Sequence, residues 1–323
     1  MKRREEERPD VGSEIEDMEI QLNSLMDRLD EKKADVPSLR SGHHILPVSD
    51  KKIGEILVQN GALSSEDVGT VLRFQQGKTV HFAEAALALG LISRRSAEKA
   101  LSTQFGYQRP DDPASTNKEL VAAYNPSGRH AEVLRSLRSQ LLLHWFDHKC
   151  RPLSIVSAER QEGRSYLAAN LAIVFAQMAK RTLLIDADMR FPRQHTIFSL
   201  GRSFGLSSLL AGHANQSTPL QIPSFPFLFV VPAGPSPPNP QELLSQPQFK
   251  FLLEEACEHF DVVLVDTPAA DAFADAELIA ARAGAALVLT CKDHTRASAL
   301  GKLTTRLRGN ETQILGCVLN QRG

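Results

Sequence analysis

Three short stretches of the chain carry residue types suited to holding phosphate and a divalent cation. An apolar run, LSIVS (153–157), leads into a polar loop, AERQEGRS (158–165), and then into the helical pattern YLAANLAIVFAQMAK (166–180). A strand, a tight loop and a helix in that order bring backbone N–H groups and a helix N-terminus together on one point, which suits a phosphate. Against the pattern G-x-x-x-x-G-K-[ST], Gly163 and Ser165 hold, whereas Ala158 replaces the first glycine and Arg164 the lysine. Taken alone, EGRS reads as an ordinary helix start. Two acidic strand ends change its weight: TLLIDADMRFP (182–192) ends an apolar run in Asp186 and Asp188, and DVVLVDTPA (261–269) ends another in Asp266. Carboxylates just past the C-terminal ends of parallel strands sit where such sheets take ligands. There they can hold Mg²⁺ opposite the loop, with Ser165 as a direct ligand.

The elements that must position these residues are legible as a fold class. Short β-branched runs at 152–156, 182–186, 227–231, 262–266, 285–290 and 313–319 alternate with helical stretches or loops, after a helix expected at 128–147. That pattern predicts an α/β domain over 127–323, a phosphate-loop parallel sheet with helices on both faces. A small all-α helical-repeat domain at 51–107 and a charged arm at 1–50 precede it, with a proline-rich polar linker at 108–126. The repeat is visible by eye: 53–75 aligns with 82–104, pairing Gly61 with Gly90, Leu63 with Ile92 and Ser64 with Ser93. Each copy reads as helix, glycine stop, Ser N-cap, helix, with Val68, Val71 and Leu72, and Ala97, Ala100 and Leu101, at core-facing spacing. In the arm, Ile15, Met18, Leu22, Leu25 and Leu29 give two heptads of a coiled-coil seam, too few to hold a helix alone, so a disordered arm is the competing reading.

Composition closes off some functions. With 37 Lys and Arg against 38 Asp and Glu, no charge excess points to nucleic acid. Cys150, Cys257, Cys291 and Cys317 form no C-x-x-C pair, which fits a reducing compartment. The N-terminal stretch lacks a signal-peptide core and no apolar run reaches the roughly 20 residues of a membrane span, so a cytoplasmic protein is expected, recruited to the inner face of the plasma membrane if it works there.

The phosphate loop, the two acidic strand ends, PAGPSPPNPQELL (232–244) and GLSSLLAG (205–212) together resemble the cytoplasmic tyrosine kinases of bacterial polysaccharide export, in particular the chain-length determinant kinases of exopolysaccharide operons. The resemblance covers about 126–323 and implies an ATP- and Mg²⁺-dependent tyrosine kinase that regulates exopolysaccharide chain length or export with a membrane-spanning co-polymerase. It implies that Glu162, Gly163, Arg164, Ser165 and Tyr166 cradle the nucleotide and that Arg164 neutralises the β- and γ-phosphates. Ser165 would ligate Mg²⁺, Asp266 would hold it through water, Asp186 would assist the metal or orient the attacking hydroxyl, and Asp188 would complete the acidic cluster. Asn320 would face the base. The segment NPSGRHAEVLRSLRS (125–139) is similar to the family's E-x-x-R-x-x-R element, which implies that Glu132, Arg135 and Arg138 bridge subunits of a homo-oligomer; on spacing alone they form a solvated helix face.

The chain also departs from that pattern. Gln161 stands where the family has a glycine, so its side chain must avoid the phosphates and any left-handed backbone. Arg164 puts a planar fork where a compact ammonium is usual. The only tyrosines are Tyr107, Tyr124 and Tyr166, and none follows the last strand, so autophosphorylation of a tyrosine-rich tail is not expected. A kinase acting on another protein and a nucleotide-binding scaffold of the same system both stand. A partitioning ATPase ranks behind them, because Glu159 occupies the place of that class's signature lysine. The helical repeat is similar to the N-terminal domain of secretion and pilus-assembly ATPases, whose repeated motif binds cyclic di-GMP. Here Lys52, Ile53, Gly54 and Gly61 match one copy, but His81, Phe82 and Ala83 do not match the other, so protein docking is expected in preference to the dinucleotide.

Overall fold

A computed structural model describes residues 52–76, 80–93, 96–97, 100, 117–126, 128–146, 149–213, 219–271 and 273–321. The expected arm, residues 108–116 of the expected linker and Leu101 lie outside the described residues.

The repeat folds as its capping signals require. Gly61 separates helix α1 (Ile53–Gln59) from α2 (Ser65–Gln75), and Gly90 follows α3 (Phe82–Ala88); both have left-handed backbone (φ 69° and 68°). The Ser64 side chain accepts from the Asp67 N–H at 3.2 Å while Asp67 accepts from Ser64 N–H at 2.9 Å, a reciprocal cap that starts α2. Ser93 repeats half of this device by accepting from Ser96 N–H at 3.0 Å. Ile56, Leu57, Leu63, Val71, Ala86, Ile92, Ala97 and Ala100 form the core. Leu72, expected inside, is 52% exposed, because Val71 takes the inward position one residue earlier. A Cβ on Gly54 would stand 3.2 Å from the Phe82 ring, so this glycine admits an aromatic ring of the second copy.

The larger unit is a seven-stranded sheet in the order β3-β4-β2-β5-β1-β6-β7. Its strands are β1 (Pro152–Ser157), β2 (Thr182–Asp186), β3 (Leu220–Ile222), β4 (Phe225–Val231), β5 (Val262–Asp266), β6 (Ala285–Cys291) and β7 (Gln313–Asn320). All pairings are parallel except the β3–β4 hairpin. β3 has no counterpart among the expected strands, since three residues carry too little periodicity to stand out.

Alternate strand residues feed separate cores. Leu153, Ile155, Leu184, Leu228 and Leu264 meet α6 (Arg164–Ala176), while Leu183, Ile185, Phe229, Val263 and Val265 meet α8 (Leu206–Leu210), α9 (Pro240–Ser245) and α10 (Pro247–His259). Val156, Ala286 and Val288 pack with α11 (Asp275–Ala283) and α12 (Ala297–Gly309). The two motifs GLSSLLAG and PAGPSPP dock on one another: Leu206 N–H donates to Pro232 O at 2.8 Å and Ser207 N–H to Ala233 O at 3.0 Å. A side chain at Gly205 would collide with the Pro232 carbonyl, so the approach requires glycine.

Part of the stretch expected as linker packs on the larger unit. Leu120, Ala122 and Ala123, around the short α4 (Val121–Tyr124), are fully buried, and the Asn170 side chain clamps them, accepting from Ala122 N–H and donating to Glu119 O, both at 3.0 Å. Small apolar side chains beside a polar, proline-rich run conceal this docking in the sequence. Helix α5 (Arg129–His144) stops three residues short of expectation, because Trp145 and Phe146 turn into the core. No described helix is long and apolar enough to cross a membrane.

Candidate nucleotide and metal site

The loop after β1 is held from beneath. Glu162 is fully buried, and its carboxylate accepts from Glu159 N–H at 2.8 Å and from the Thr295 hydroxyl, bending the loop back on itself. Two residues carry left-handed backbone, Gly163 at φ 99° and Gln161 at φ 59°. The second is the conformation that a glycine takes without strain and that costs other residues about 1–2 kcal/mol. Asn320, expected to face a base, donates its Nδ2 to Glu162 O at 2.8 Å, and a Cβ on Gly163 would come within 2.6 Å of that nitrogen. It supports the loop.

Arg164 opens α6 but its guanidinium folds back under the loop. Nε donates to Thr267 O and Nη1 to Glu159 O, each at 2.9 Å, and Nη1 also meets the Ser157 hydroxyl. The side chain is largely buried, yet it lines the cleft and its charge lowers the proton affinity of both Asp188 and Asp266.

Register brings the carboxylates together. Asp186 and Asp266 are direct partners across the β2–β5 pair, so their side chains leave the sheet on the same face at neighbouring strand ends. Asp186 is fully buried and accepts three backbone N–H groups, from Gln194 at 2.9 Å, Arg193 at 3.1 Å and Asp188 at 3.2 Å. Burial, then the charge of Asp266, holds its carboxyl well above the usual carboxylate range. Burial also raises Asp188, whose Oδ1 accepts from Phe191 N–H at 2.8 Å. Asp266 is pushed up to about 6 by burial, against the opposing hydrogen bonds of Gln194 and Ser165.

Gln194, which sequence reasoning missed, ties these parts into one unit. It is fully buried, its backbone caps Asp186, and its Nε2 donates to Asp266 Oδ2 at 2.8 Å and Ser165 O at 3.1 Å. Nothing local marks it, since it lies in a four-residue helix, α7 (Gln194–Ile197), after a proline. Asp266 Oδ1 is left buried without a hydrogen-bond partner among the described residues. A buried carboxylate oxygen without a donor, facing the Ser165 hydroxyl and a second strand-end carboxyl, fits a hard divalent cation that keeps most of its ligands from water and phosphate. No group of three or more His, Cys, Asp or Glu side chains among the described residues is arranged to hold a metal ion.

Above the loop opens a cleft of about 480 Å³, lined by Gln161 to Tyr166 except Glu162, with Asp188 on its floor. Its mouth was also missed. Arg160 lies over the Phe191 ring at 4.3 Å and Arg190 over Phe273 at 3.6 Å, while Arg190 is fixed by Asp275 at 2.6 Å. Phe191 and Phe273 remain 56% and 40% exposed. An aromatic residue, Phe191, just past an acidic strand end in DMRFP was the available signal.

The structure does not bring Glu132, Arg135 and Arg138 to this cleft. They lie on α5, where Arg135 pairs with Glu132 at 2.8 Å and donates to Pro126 O, and Arg138 donates to Val174 O at 2.9 Å. Both arginines thus tie α5 to their own chain, and Glu132 is left exposed.

No family model matches the chain. Among curated proteins it is similar to the tyrosine-protein kinase YwqD of Bacillus subtilis, 36% identical over 203 residues that span 63% of this chain and 86% of the relative. It is 32% identical to the putative tyrosine-protein kinase CapB of Staphylococcus aureus over 207 residues, 64% of this chain and 91% of that one. Among solved structures, the kinase domain of the Escherichia coli tyrosine kinase ETK superposes with a TM-score of 0.60 at 31% identity, covering 62% of this chain and 79% of the other.

Proposed function

The chain belongs to the bacterial tyrosine-protein kinase family, and on that footing we propose that it transfers the γ-phosphoryl group of Mg·ATP to a tyrosine of another protein. The observation that carries this reading is a cleft lined by loop residues, Ser165 and Asp188, with the paired, fully buried Asp186 and Asp266 at the strand ends and Asp266 joined to Ser165 through Gln194. The loop N–H groups would take the phosphates. Ser165 and Asp266 would hold Mg²⁺, which supplies charge neutralisation at the transferring phosphoryl group. Asp186, committed to three N–H donors, orders the cluster. Asp188 lines the cleft and would accept the proton of an incoming phenol. Phe191 and Phe273 offer that ring apolar walls at the mouth.

The family setting supports the wider proposal: action in exopolysaccharide chain-length control or export with a membrane-spanning co-polymerase, at the cytoplasmic face of the plasma membrane, in a homo-oligomer that uses α5. In this reading the domain boundaries are a docking module ending near 107 and a kinase domain that begins by 117, with a shorter linker between them. The use of Gly54 for internal packing favours protein over cyclic di-GMP as the module's ligand.

A second reading, a nucleotide-binding scaffold with little transfer activity, is favoured by two features. Gln161 strains the loop, and Arg164 spends its donors on protein acceptors. Incubation of the protein and its co-polymerase with γ-labelled ATP separates the two. Label on tyrosine supports the kinase, and tight Mg·ATP binding without label supports the scaffold.

A further inference from the structure

Away from the nucleotide site, at the opposite ends of the strands, lies a second cleft of about 390 Å³. Cys150, two residues before β1, and Cys257, in the last turn of α10, both line it. Both are free, partly buried, and packed against the same core as Leu183 and Val263. The other two cysteines sit elsewhere, Cys291 buried in β6 and Cys317 exposed on β7. The reading of this chain as a reduced protein with scattered cysteines therefore misses that the fold brings two of them to one cleft.

We propose that Cys150 and Cys257 form a peroxide-sensitive dithiol that closes reversibly to a disulfide across this cleft. The site is partly open to solvent, and Lys149, Lys180 and Arg181 line it with cationic side chains of the kind that stabilise a thiolate. The thiol of Cys257 beside it, then burial, raises the proton affinity of Cys150, with Asp261 and Glu258 adding to the effect. Cys150 is accordingly the poorer first nucleophile, and Cys257 takes that role. Its thiolate attacks hydrogen peroxide, breaking the O–O bond, so that Cys257 becomes a sulfenic acid and hydroxide leaves. The Cys150 sulfur then attacks the Cys257 sulfur, the S–O bond breaks, and a second hydroxide leaves. The two thiol protons convert the two hydroxides to water, and the dithiol has lost two electrons to the peroxide. A dithiol reductant restores both thiols by exchange.

The bond would join the segment entering β1 to the helix that covers β5, the two strands whose far ends carry the phosphate loop and Asp266. It would close a loop of roughly 100 residues, the length at which a cross-link restricts the unfolded chain strongly.

The test uses the full chain treated with hydrogen peroxide, then blocked with N-ethylmaleimide and mapped by mass spectrometry without reduction. The expected product is a Cys150–Cys257 linked peptide with neither sulfur alkylated, lost on treatment with dithiothreitol. It should persist in Cys291→Ser with Cys317→Ser and be absent in Cys257→Ser. Oxidation should raise Tm by roughly 5–10 °C in wild type, reversibly, and leave Cys257→Ser unchanged. N-ethylmaleimide on both residues after peroxide, a link between chains in place of one within the chain, or sulfinic acid at Cys257 without a link would overturn the proposal. The wild-type map decides the matter even if the serine variant fails to fold.

Discussion

Replacing Asp266 by asparagine should stabilise the metal-free protein at neutral pH while weakening its hold on Mg·nucleotide. The native state keeps a proton on Asp266 up to about pH 6, whereas the unfolded chain releases it near the ordinary value of about 3.9. Between those values the native state binds more protons than the unfolded state, so stability falls as pH rises through that window. The gap is roughly 2 pH units, about 3 kcal/mol, fully expressed above pH 6. The asparagine amide would keep an oxygen for the Gln194 Nε2 donor and remove the charge beside Asp186. For a domain of this size the gain corresponds to about 6–12 °C in Tm at pH 8, and little at pH 4. A residual slope should remain, since burial raises Asp186 and Asp188 as well. The assay is thermal unfolding of both proteins without Mg²⁺ from pH 4 to 8. Curves that stay parallel across the range would refute the claim that Asp266 is held protonated in a dry cluster.

Other outcomes follow from single features of the site. Gln161→Gly should relieve the left-handed strain and tighten ADP binding by about three- to tenfold, measured by calorimetry. Arg164→Ala should do the reverse and also lower Tm, because Thr267 O and Glu159 O lose a charged donor worth about 1.5–3 kcal/mol. Phe191→Ala with Phe273→Ala should raise KM for a tyrosine acceptor while leaving ADP affinity unchanged, as steady-state kinetics would report. Arg135→Ala with Arg138→Ala should reduce oligomer size in sedimentation and lower Tm by a few degrees, since both side chains also bind their own chain.

The sheet was legible because most of its strands are short continuous apolar runs, a pattern that buried parallel strands impose, and two of them, β2 and β5, end in acids. The loop was legible because Gly163 and Ser165 sit between such a strand and a helix, and the left-handed backbone at Gln161 matches the concern that its side chain raised. Legibility failed where tertiary contacts give a residue its role. Gln194 matters only because Asp186, Asp266 and Ser165 surround it, and the direction of Arg164 depends on carbonyls far along the chain at Thr267. The contact of Asn320 with the loop was equally hidden, since it depends on the register of β7 against β6. The docking of 120–123 was hidden for a similar reason, since alanines declare burial only when a helix is present to cover them.

The most direct test of the account is a titration of Mg·ADP into wild type and Asp266→Ala, each repeated with the metal chelated. The strand-end carboxylate acts through the cation, so the variant should bind at least tenfold more weakly with Mg²⁺ present and differ little from wild type without it. Superimposable isotherms with Mg²⁺ present would contradict the assignment of this cleft as the metal and nucleotide site.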